Sequence, residues 1–458
     1  MLEGFFDRKI LSRTSSVVLF ILIWGTVYYD FFTETLRFPV ALKLLDEILL
    51  FILFIFVVIK NRFKIKKTYL DTAKYLIIFL IISFFSMLWN NIELSRYVYA
   101  IRFAAIPLLI SFIVYNFEFS TENLKKFIRY CLYIIIGHSI IVLLHGIFVI
   151  IKDKYHPDSV YGIIGPGASN LLGYLISIVI IYFIYKLFFD TYNKILINSI
   201  ITLFLMSNLI VLEAKGAIIS VVSATFIMLI VEFKRIKFKK IFIFVAIFLL
   251  IFLVIFLLLN MLWSIWNIRN IFNPINKMLD ETRTEQFGDA ARGASIVYAV
   301  DNIRSGALFF LFGYGPGVYE SPAGYLFGGP HIDARNEFFS RPDGSIVSVT
   351  QTQIANLLYE YGIFGFIFFE LFLFFSFIRL LKYERGPISS KSGCNSYHGW
   401  VKYLISIVFL GQFTINIFDF QYVIYPFWII LFSTFKIYNL MLEKRYTQSS
   451  ISEMAGYG

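Results

Sequence analysis

The feature that most constrains this chain is its succession of long apolar stretches. A helix needs about 20 mostly apolar residues to cross roughly 30 Å of hydrocarbon. Stretches of that kind fall at 16–33, 39–59, 73–91, 97–115, 127–151, 169–188, 194–212, 216–233, 241–263, 352–381, 400–419 and 422–442. The reading is an all-α polytopic membrane protein of about 12 transmembrane helices. Only a few residues part 194–212 from 216–233, and 400–419 from 422–442, so each pair is expected to form a tight helical hairpin. Composition agrees: 59% of the 458 residues are hydrophobic and 16% charged, against about 45–50% and about 25% in soluble domains. A soluble enzyme, a secreted protein and a disordered chain are excluded. Two cysteines exclude a disulfide scaffold or a CxxC zinc site.

A net charge of +11 would suggest nucleic acid in a soluble protein, but here the cations sit in short runs between apolar stretches. That is the pattern that orients spans, with basic loops on the cytoplasmic side. Lys60, Arg62, Lys64, Lys66 and Lys67 form one run, and Lys234, Arg235, Lys237, Lys239 and Lys240 a second. Arg379, Lys382, Arg385 and Lys391 form a third, and Lys444 and Arg445 close the chain. Twelve spans with both termini inside put all four on the cytoplasmic side. Arg8, Lys9 and Arg13 precede an apolar run long enough to span, with no small-residue cleavage site after it, so the first helix is expected to stay as an anchor.

Three regions follow: a transmembrane bundle over 1–263, a large external loop over 264–350, and spans with a cytoplasmic C-terminus over 351–458. Long loops are uncommon unless functional or disordered. This one carries Pro274, Pro316, Pro322, Pro330 and Pro342 but also aromatic and apolar residues throughout, which indicates order. Within it, 284–303 has an apolar helical face through Ile296, Val297, Val300 and Ile303, expected to lie on the bundle or the membrane surface.

Ionisable groups within spans are costly and mark function or self-neutralising clusters. Lys43, Asp46 and Glu47 share a helical face and can pair with one another. Arg102 lies in the outer part of its span, and Lys215, with Glu213 beside it, at the external end of a hairpin. With Arg292 they put positive charge at the outer-leaflet level, where a lipid pyrophosphate would be held and its departure stabilised. Lys215 can equally be a loop lysine paired to Glu213. His138 and His145 share a face of the fifth span and read more readily as interior histidines, while His156 and His331 lie outside. No HExxH, DxD or paired Cys/His pattern suggests a metal, and no GxGxxG or GxxxxGKS loop suggests a nucleotide. No cofactor is therefore expected. Gly313-Tyr314-Gly315-Pro316-Gly317 is the densest glycine cluster: either a sharp turn or a place where backbone amides approach a ligand.

The run LFGYGPGVY, followed by TQTQIANLLYEYGIFGFIFF leading into the next span, resembles the O-antigen polymerase/ligase superfamily. YGIIGPGASNLLGYL is similar to that family's glycine/asparagine approach to a helix, and LEAKGAIISV to its short external turn, where Ser-Arg is usual. The resemblance covers most of the chain in layout and four short stretches in sequence. It implies a bundle in the bacterial inner membrane with its active site facing the periplasm. The donor implied is a glycan on undecaprenyl pyrophosphate, transferred without nucleotide sugar, ATP or metal. Family arginines that contact the pyrophosphate map onto Lys215 and onto Arg292 in ARGASIVYAV. Lysine at 215 keeps the charge and loses the bidentate fork. Ligases carry a histidine motif just before the span that here begins Gln351-Thr352-Gln353, which has none, and this favours polymerase over ligase. Polymerases of the group show an Arg, ten residues, then Gly spacing; Arg304 to Gly315 fits it, and Lys154 to Gly165 fits with lysine.

The mechanism expected is displacement at the anomeric carbon by a hydroxyl on the non-reducing end of an incoming repeat unit. Lys215, Arg292, Arg102 and Arg304 are the candidates to hold the departing pyrophosphate. His331, Asp333, Glu337 and Glu360 are the candidate bases, His331 first because its ordinary pKa is near neutral. Gly313, Tyr314, Gly315, Gly317, Tyr319 and Gln353 are the candidates for glycan contact, with Tyr325 a further ring. Partners are then a lipid-linked oligosaccharide, membrane lipid and a chain-length regulator, and not nucleic acid. Two other readings are a ligase delivering finished glycan to a lipid or protein acceptor and a lipid-linked glycan flippase. A flippase usually shows similar halves with a midplane site, and no such halves are visible.

Overall fold

The computed structural model describes residues 45–62, 64–151, 160, 162, 169–189, 195–212, 214–236, 289–290, 292–319, 321–329, 331, 348–349, 352–385, 399–419 and 421–455. Their regular structure is helical apart from one two-residue parallel pairing, β1 (Asp289–Ala290) with β2 (Ser348–Val349). In chain order the helices are α1 (Leu45–Lys60), α2 (Lys67–Trp89), α3 (Leu94–Ala100), α4 (Arg102–Asn116), α5 (Thr121–Ile151), α6 (Ser169–Phe189) and α7 (Ile195–Val211). They continue as α8 (Lys215–Val231), α9 (Arg292–Ile303), α10 (Ala307–Phe312), α11 (Pro322–Phe327), α12 (Gln353–Arg385), α13 (Val401–Gly411) and α14 (Gln421–Ala455).

Among the described residues, five helices are long and apolar enough to cross a membrane, within α2, α5, α6, α12 and α14. A sixth span arises if α3 and α4, bent by 61° at Ile101, count as one. The expected spans 16–33 and 241–263 lie outside the described residues. The expected spans 194–212, 216–233 and 400–419 are helices of 17, 17 and 11 residues. At 1.5 Å per residue α13 reaches only about 17 Å, roughly half of the hydrocarbon. It stops because Gly411 opens a polar turn: Gln412, Thr414 and Asn416 follow, then a 3-10 turn at Ile417–Asp419. Irregular backbone at membrane depth is tolerated where protein covers it, and Gln412, Thr414 and Asn416 are all buried.

Almost the whole of α6 and residues 423–438 of α14 are buried, and the other helices pack around them. The outer helices turn large apolar side chains outward, among them Phe85 and Trp89 on α2, Leu144 on α5 and Phe374 on α12. Lipid, not water, suits such a surface. The described members of the cationic runs gather at one end. Lys66 N donates to Asn116 Oδ1 (3.0 Å) and Asn61 Nδ2 to Asn116 O (2.8 Å), joining the α1–α2 turn to the end of α4. Lys436 reaches into that same helix end, donating to Val114 O (2.7 Å) and Phe117 O, so carbonyls left open at a helix C-terminus meet a cation. Buried Lys402 pairs with buried Glu232, which also accepts from Tyr403 Oη (3.0 Å). Arg379 donates to Thr72 at the start of α2.

The opposite end carries α9, α10 and α11. α9 lies on the bundle, as its apolar face requires: Tyr298, Ala299 and Ile303 pack with Ile354, Ala355, Leu358 and Tyr359 of α12.

Candidate active site at the start of the kinked helix

α12 is broken at Gly362, whose φ of 65° and ψ of −171° lie outside the helical region. The break frees the carbonyls just before it, and the glycine loop takes them. Tyr314 N donates to Tyr359 O (2.9 Å) and Gly315 N to Glu360 O (3.1 Å). Gly313 (φ 74°) touches Gly362 so closely that a Cβ on Gly313 would lie 2.6 Å from Gly362 N, and one on Gly362 2.5 Å from Gly313 N. Only glycine allows both the positive φ and that approach. The Glu360 side chain completes the clasp. It is fully buried, and its carboxylate accepts from Gly317 N (2.9 Å), Tyr319 N (3.1 Å) and Ser321 Oγ (2.8 Å).

Two expectations are corrected here. Glu360 is not placed as a base, because both carboxylate oxygens are committed to the loop. The amides of Gly313, Gly315 and Gly317 do not form a ligand cradle, because each donates within the protein, that of Gly313 to Phe309 O (2.8 Å). The tyrosines are corrected as sugar platforms too. Tyr319 is fully buried, its ring stacked on Tyr359 at 4.2 Å. Tyr314 is sandwiched between Phe309 (4.3 Å) and Tyr359 (4.9 Å), and its hydroxyl donates to Asn302 O (3.0 Å). Neither ring keeps a face for a glycan.

His331 lies beside this stack. A loop histidine reaches the start of the span only by folding back, and it does so. Its backbone N donates to Val318 O (3.3 Å), and its Nδ1 is 2.9 Å from the Tyr359 hydroxyl. The ring is partly exposed, and burial of the remainder lowers its pKa from the ordinary value, because desolvation disfavours the imidazolium. With Nδ1–H donating to the tyrosine oxygen, Nε2 keeps a lone pair.

Lys215 opens α8, and its side chain is half-buried with no ion pair or hydrogen bond among the described residues. Glu213 lies outside them. The residue after it, Gly216, is held against α6 and the α13 turn: a Cβ there would meet the Tyr174 hydroxyl at 2.8 Å and Thr414 Oγ1 at 2.9 Å. Ile415, next to Thr414, accepts from Gln353 N (3.3 Å) at the start of α12. Arg292 opens α9, and its side chain lies outside the described part. One turn on, Ser295 Oγ is 3.2 Å from Thr352 Oγ1, and the β1–β2 pairing brings 289–290 beside 348–349. The backbones carrying Arg292 and His331 thus come to the first two turns of α12, and that of Lys215 to the turn after α13 that bonds Gln353 N. Gln353 itself is buried, accepting from Phe418 N (3.1 Å), so it braces the site and does not face a glycan.

Arg102 and Arg304 do not join them. Arg102 pairs with Glu47 and stacks over Tyr99 at 4.3 Å. Lys43, expected to pair with Asp46 or Glu47, lies outside the described residues. Arg304 is exposed, 3.7 Å from Asp301, at the end of α9 opposite to Arg292 and about 18 Å along the helix. Asp333, Glu337, His156 and the Tyr325 ring lie outside the described part.

Sequence reasoning missed Tyr359, Tyr174 and Thr414, and also Asn356 on α12. Asn356 is 2% exposed, and neither of its amide atoms has a hydrogen-bond partner among the described residues. A buried amide left open costs about 1–3 kcal/mol, so water or a ligand is its natural complement. The signal was available: an asparagine inside an apolar window. Among the described residues no three His, Cys, Asp or Glu side chains gather as metal ligands.

Fold and surface define a polytopic helical membrane protein. No family model matches the chain, and no curated protein matches it.

Proposed function

We propose that the protein is a polysaccharide polymerase of the bacterial inner membrane, a metal-independent glycosyltransferase whose site faces the periplasm. One observation carries the reading: the backbones of Arg292 and His331 come to the first two turns of α12, and that of Lys215 to the adjoining turn after α13, at the end of the bundle remote from the basic runs. The positive-inside rule then makes the basic end cytoplasmic. The donor is a glycan on a polyprenyl pyrophosphate. A hydroxyl at the non-reducing end of the incoming lipid-linked repeat attacks the donor's anomeric carbon and forms the new C–O bond. The bond from that carbon to the pyrophosphate oxygen breaks, and the electron pair leaves with the pyrophosphate. The hydroxyl proton passes to His331 Nε2. Lys215 and Arg292 meet the charge that develops on the leaving group, a contribution of the order of 10²–10³ in rate for each fixed donor.

The full chain in lipid, given lipid-linked repeat units and no ion gradient, should lengthen the glycan and release polyprenyl pyrophosphate. Lys215→Ala and Arg292→Ala should each slow this about 100-fold or more, and cells carrying them should keep single-repeat product while losing long chains. Unchanged chain length in both variants overturns the assignment.

One observation favours a ligase as the second reading. A histidine does stand against the start of α12, though it comes from 331 and not from the position just before the span. Deletion of the gene separates the two: one repeat unit remains at the surface without a polymerase, and none without a ligase.

A further inference from the structure

At the basic end, a cavity of about 310 Å³ opens between α2 and α12, with Phe435 of α14 at its back. Its polar lining includes Asp71 and Lys74 from α2 and Arg379 and Lys382 from α12. Three cations therefore face one carboxylate. Arg379 spends two donors, Nε on Tyr383 Oη (2.9 Å) and Nη1 on Thr72 Oγ1, of the five a guanidinium has. Lys382 is exposed, and so is Lys74, which lies over the Tyr75 ring at 4.8 Å. Going up α12 from Lys382 and Arg379 the lining passes Ser376 and turns apolar at Phe375 and Phe372. Phe375 is 42% exposed and stacks on Tyr75 at 4.8 Å, so the two helices share an aromatic shelf.

That order, cations at the end of the bundle and aromatic wall toward its middle, is the polarity order of a phospholipid. A phosphate would sit among Lys74, Arg379 and Lys382, and an acyl chain along Tyr75 and Phe375. Basic pockets between spanning helices on the cytoplasmic side suit anionic head groups. We propose that this cavity binds one anionic phospholipid. The proposal needs only that α2 and α12 span a membrane, and it stands apart from the glycosyltransferase reading.

The test measures binding of short-chain phosphatidylglycerol and phosphatidylethanolamine to the full chain in detergent, by native mass spectrometry or tryptophan fluorescence. Phosphatidylglycerol should bind at least tenfold more tightly. Lys74→Gln with Lys382→Gln should remove most of that preference, a weakening of about tenfold or more at roughly fivefold per lysine. Both side chains are solvent-facing, so the fold should tolerate the change. The control, Lys64→Gln with Lys126→Gln, removes equal charge outside the cavity and should leave the preference intact. Inorganic phosphate in tenfold excess should not displace the lipid. Equal affinity for the two lipids, equal loss in the control, or displacement by free phosphate would each overturn the proposal.

Discussion

Replacing Glu360 with alanine should open the glycine clasp. In the native chain its carboxylate holds two backbone amides and one hydroxyl, from residues 39 to 43 positions away along the chain. Hydrogen bonds to a charged group contribute about 1.5–3 kcal/mol each, so three give a gross figure of roughly 4–9 kcal/mol. Burying the carboxylate costs several kcal/mol in return, and a net loss of about 3 kcal/mol on removal follows. That is about two powers of ten in local opening, read most directly by hydrogen exchange. The amides of Gly317 and Tyr319 should exchange about 100-fold faster in Glu360→Ala, while those of α6 stay as in the native protein. Glu360→Gln keeps one good acceptor oxygen and turns an NH₂ toward a donor, so it should fall between, near tenfold. Glycan extension should drop with the opening, because His331 is held through Val318 and Tyr359, on either side of the clasp. If Glu360 were itself the proton acceptor, both variants would lose turnover while exchange over 313–321 stayed unchanged. That result would refute the clasp.

Burial lowers the His331 pKa, so its neutral, proton-accepting form persists to lower pH than for a solvated histidine near 6.5. Turnover should therefore fall only as pH drops through that lowered value, and His331→Gln should abolish this acid limb; a limb that survives the substitution excludes His331 as the base. At the basic end, Lys402→Met leaves the Glu232 carboxylate buried beside Tyr403 without its buried cation. Breaking a buried pair costs about 3–5 kcal/mol when nothing else meets the charge; half-exposed Arg235, 3.3 Å from Glu232, holds the loss to the lower end, visible as a lowered unfolding midpoint, and adding Glu232→Gln should restore most of it. A single variant as stable as the parent would show that the pair is spent against its own desolvation.

Much of the helical layout was legible, because an apolar window of about 20 residues has few alternatives in a membrane. The stretch 169–188 is α6 almost to the residue; of the apolar face expected within 284–303, Ile296, Val300 and Ile303 pack inward on α9 (Arg292–Ile303), but Val297 is exposed. What escaped was irregular backbone. The window 400–419 averages out Gly411, Gln412, Thr414 and Asn416, which end α13 halfway. The window 97–115 hides the 61° bend at Ile101. Site roles failed where they depend on a partner far along the chain. Glu360 looks like a base until Gly317 and Ser321 are seen to hold it, and Arg102 like a phosphate ligand until Glu47 does. His331 was legible as chemistry and not as position, since only its bond to Tyr359 brings it to α12.

These breaks and the candidate site belong together. An unbroken spanning helix satisfies its own backbone and leaves nothing to hold a polar substrate; a broken one exposes carbonyls and amides that must find partners. Here Gly362 breaks α12, and the freed carbonyls of Tyr359 and Glu360 are taken by Tyr314 and Gly315. The turn after Gly411 ends α13, and Ile415 takes Gln353 N. Each repair draws a loop or a half-length helix against the start of α12: the first brings the backbone of His331, and the second, through Thr414, packs on Gly216 beside Lys215. The same positions have to be small or polar for the repair, and under the proposed transfer they would also lie beside the reacting groups. Gly216 tests that link. A methyl there would press on Tyr174 and Thr414, pushing the start of α8 away from α6 and from the turn after α13. Transfer should then weaken even though the Lys215 charge is retained.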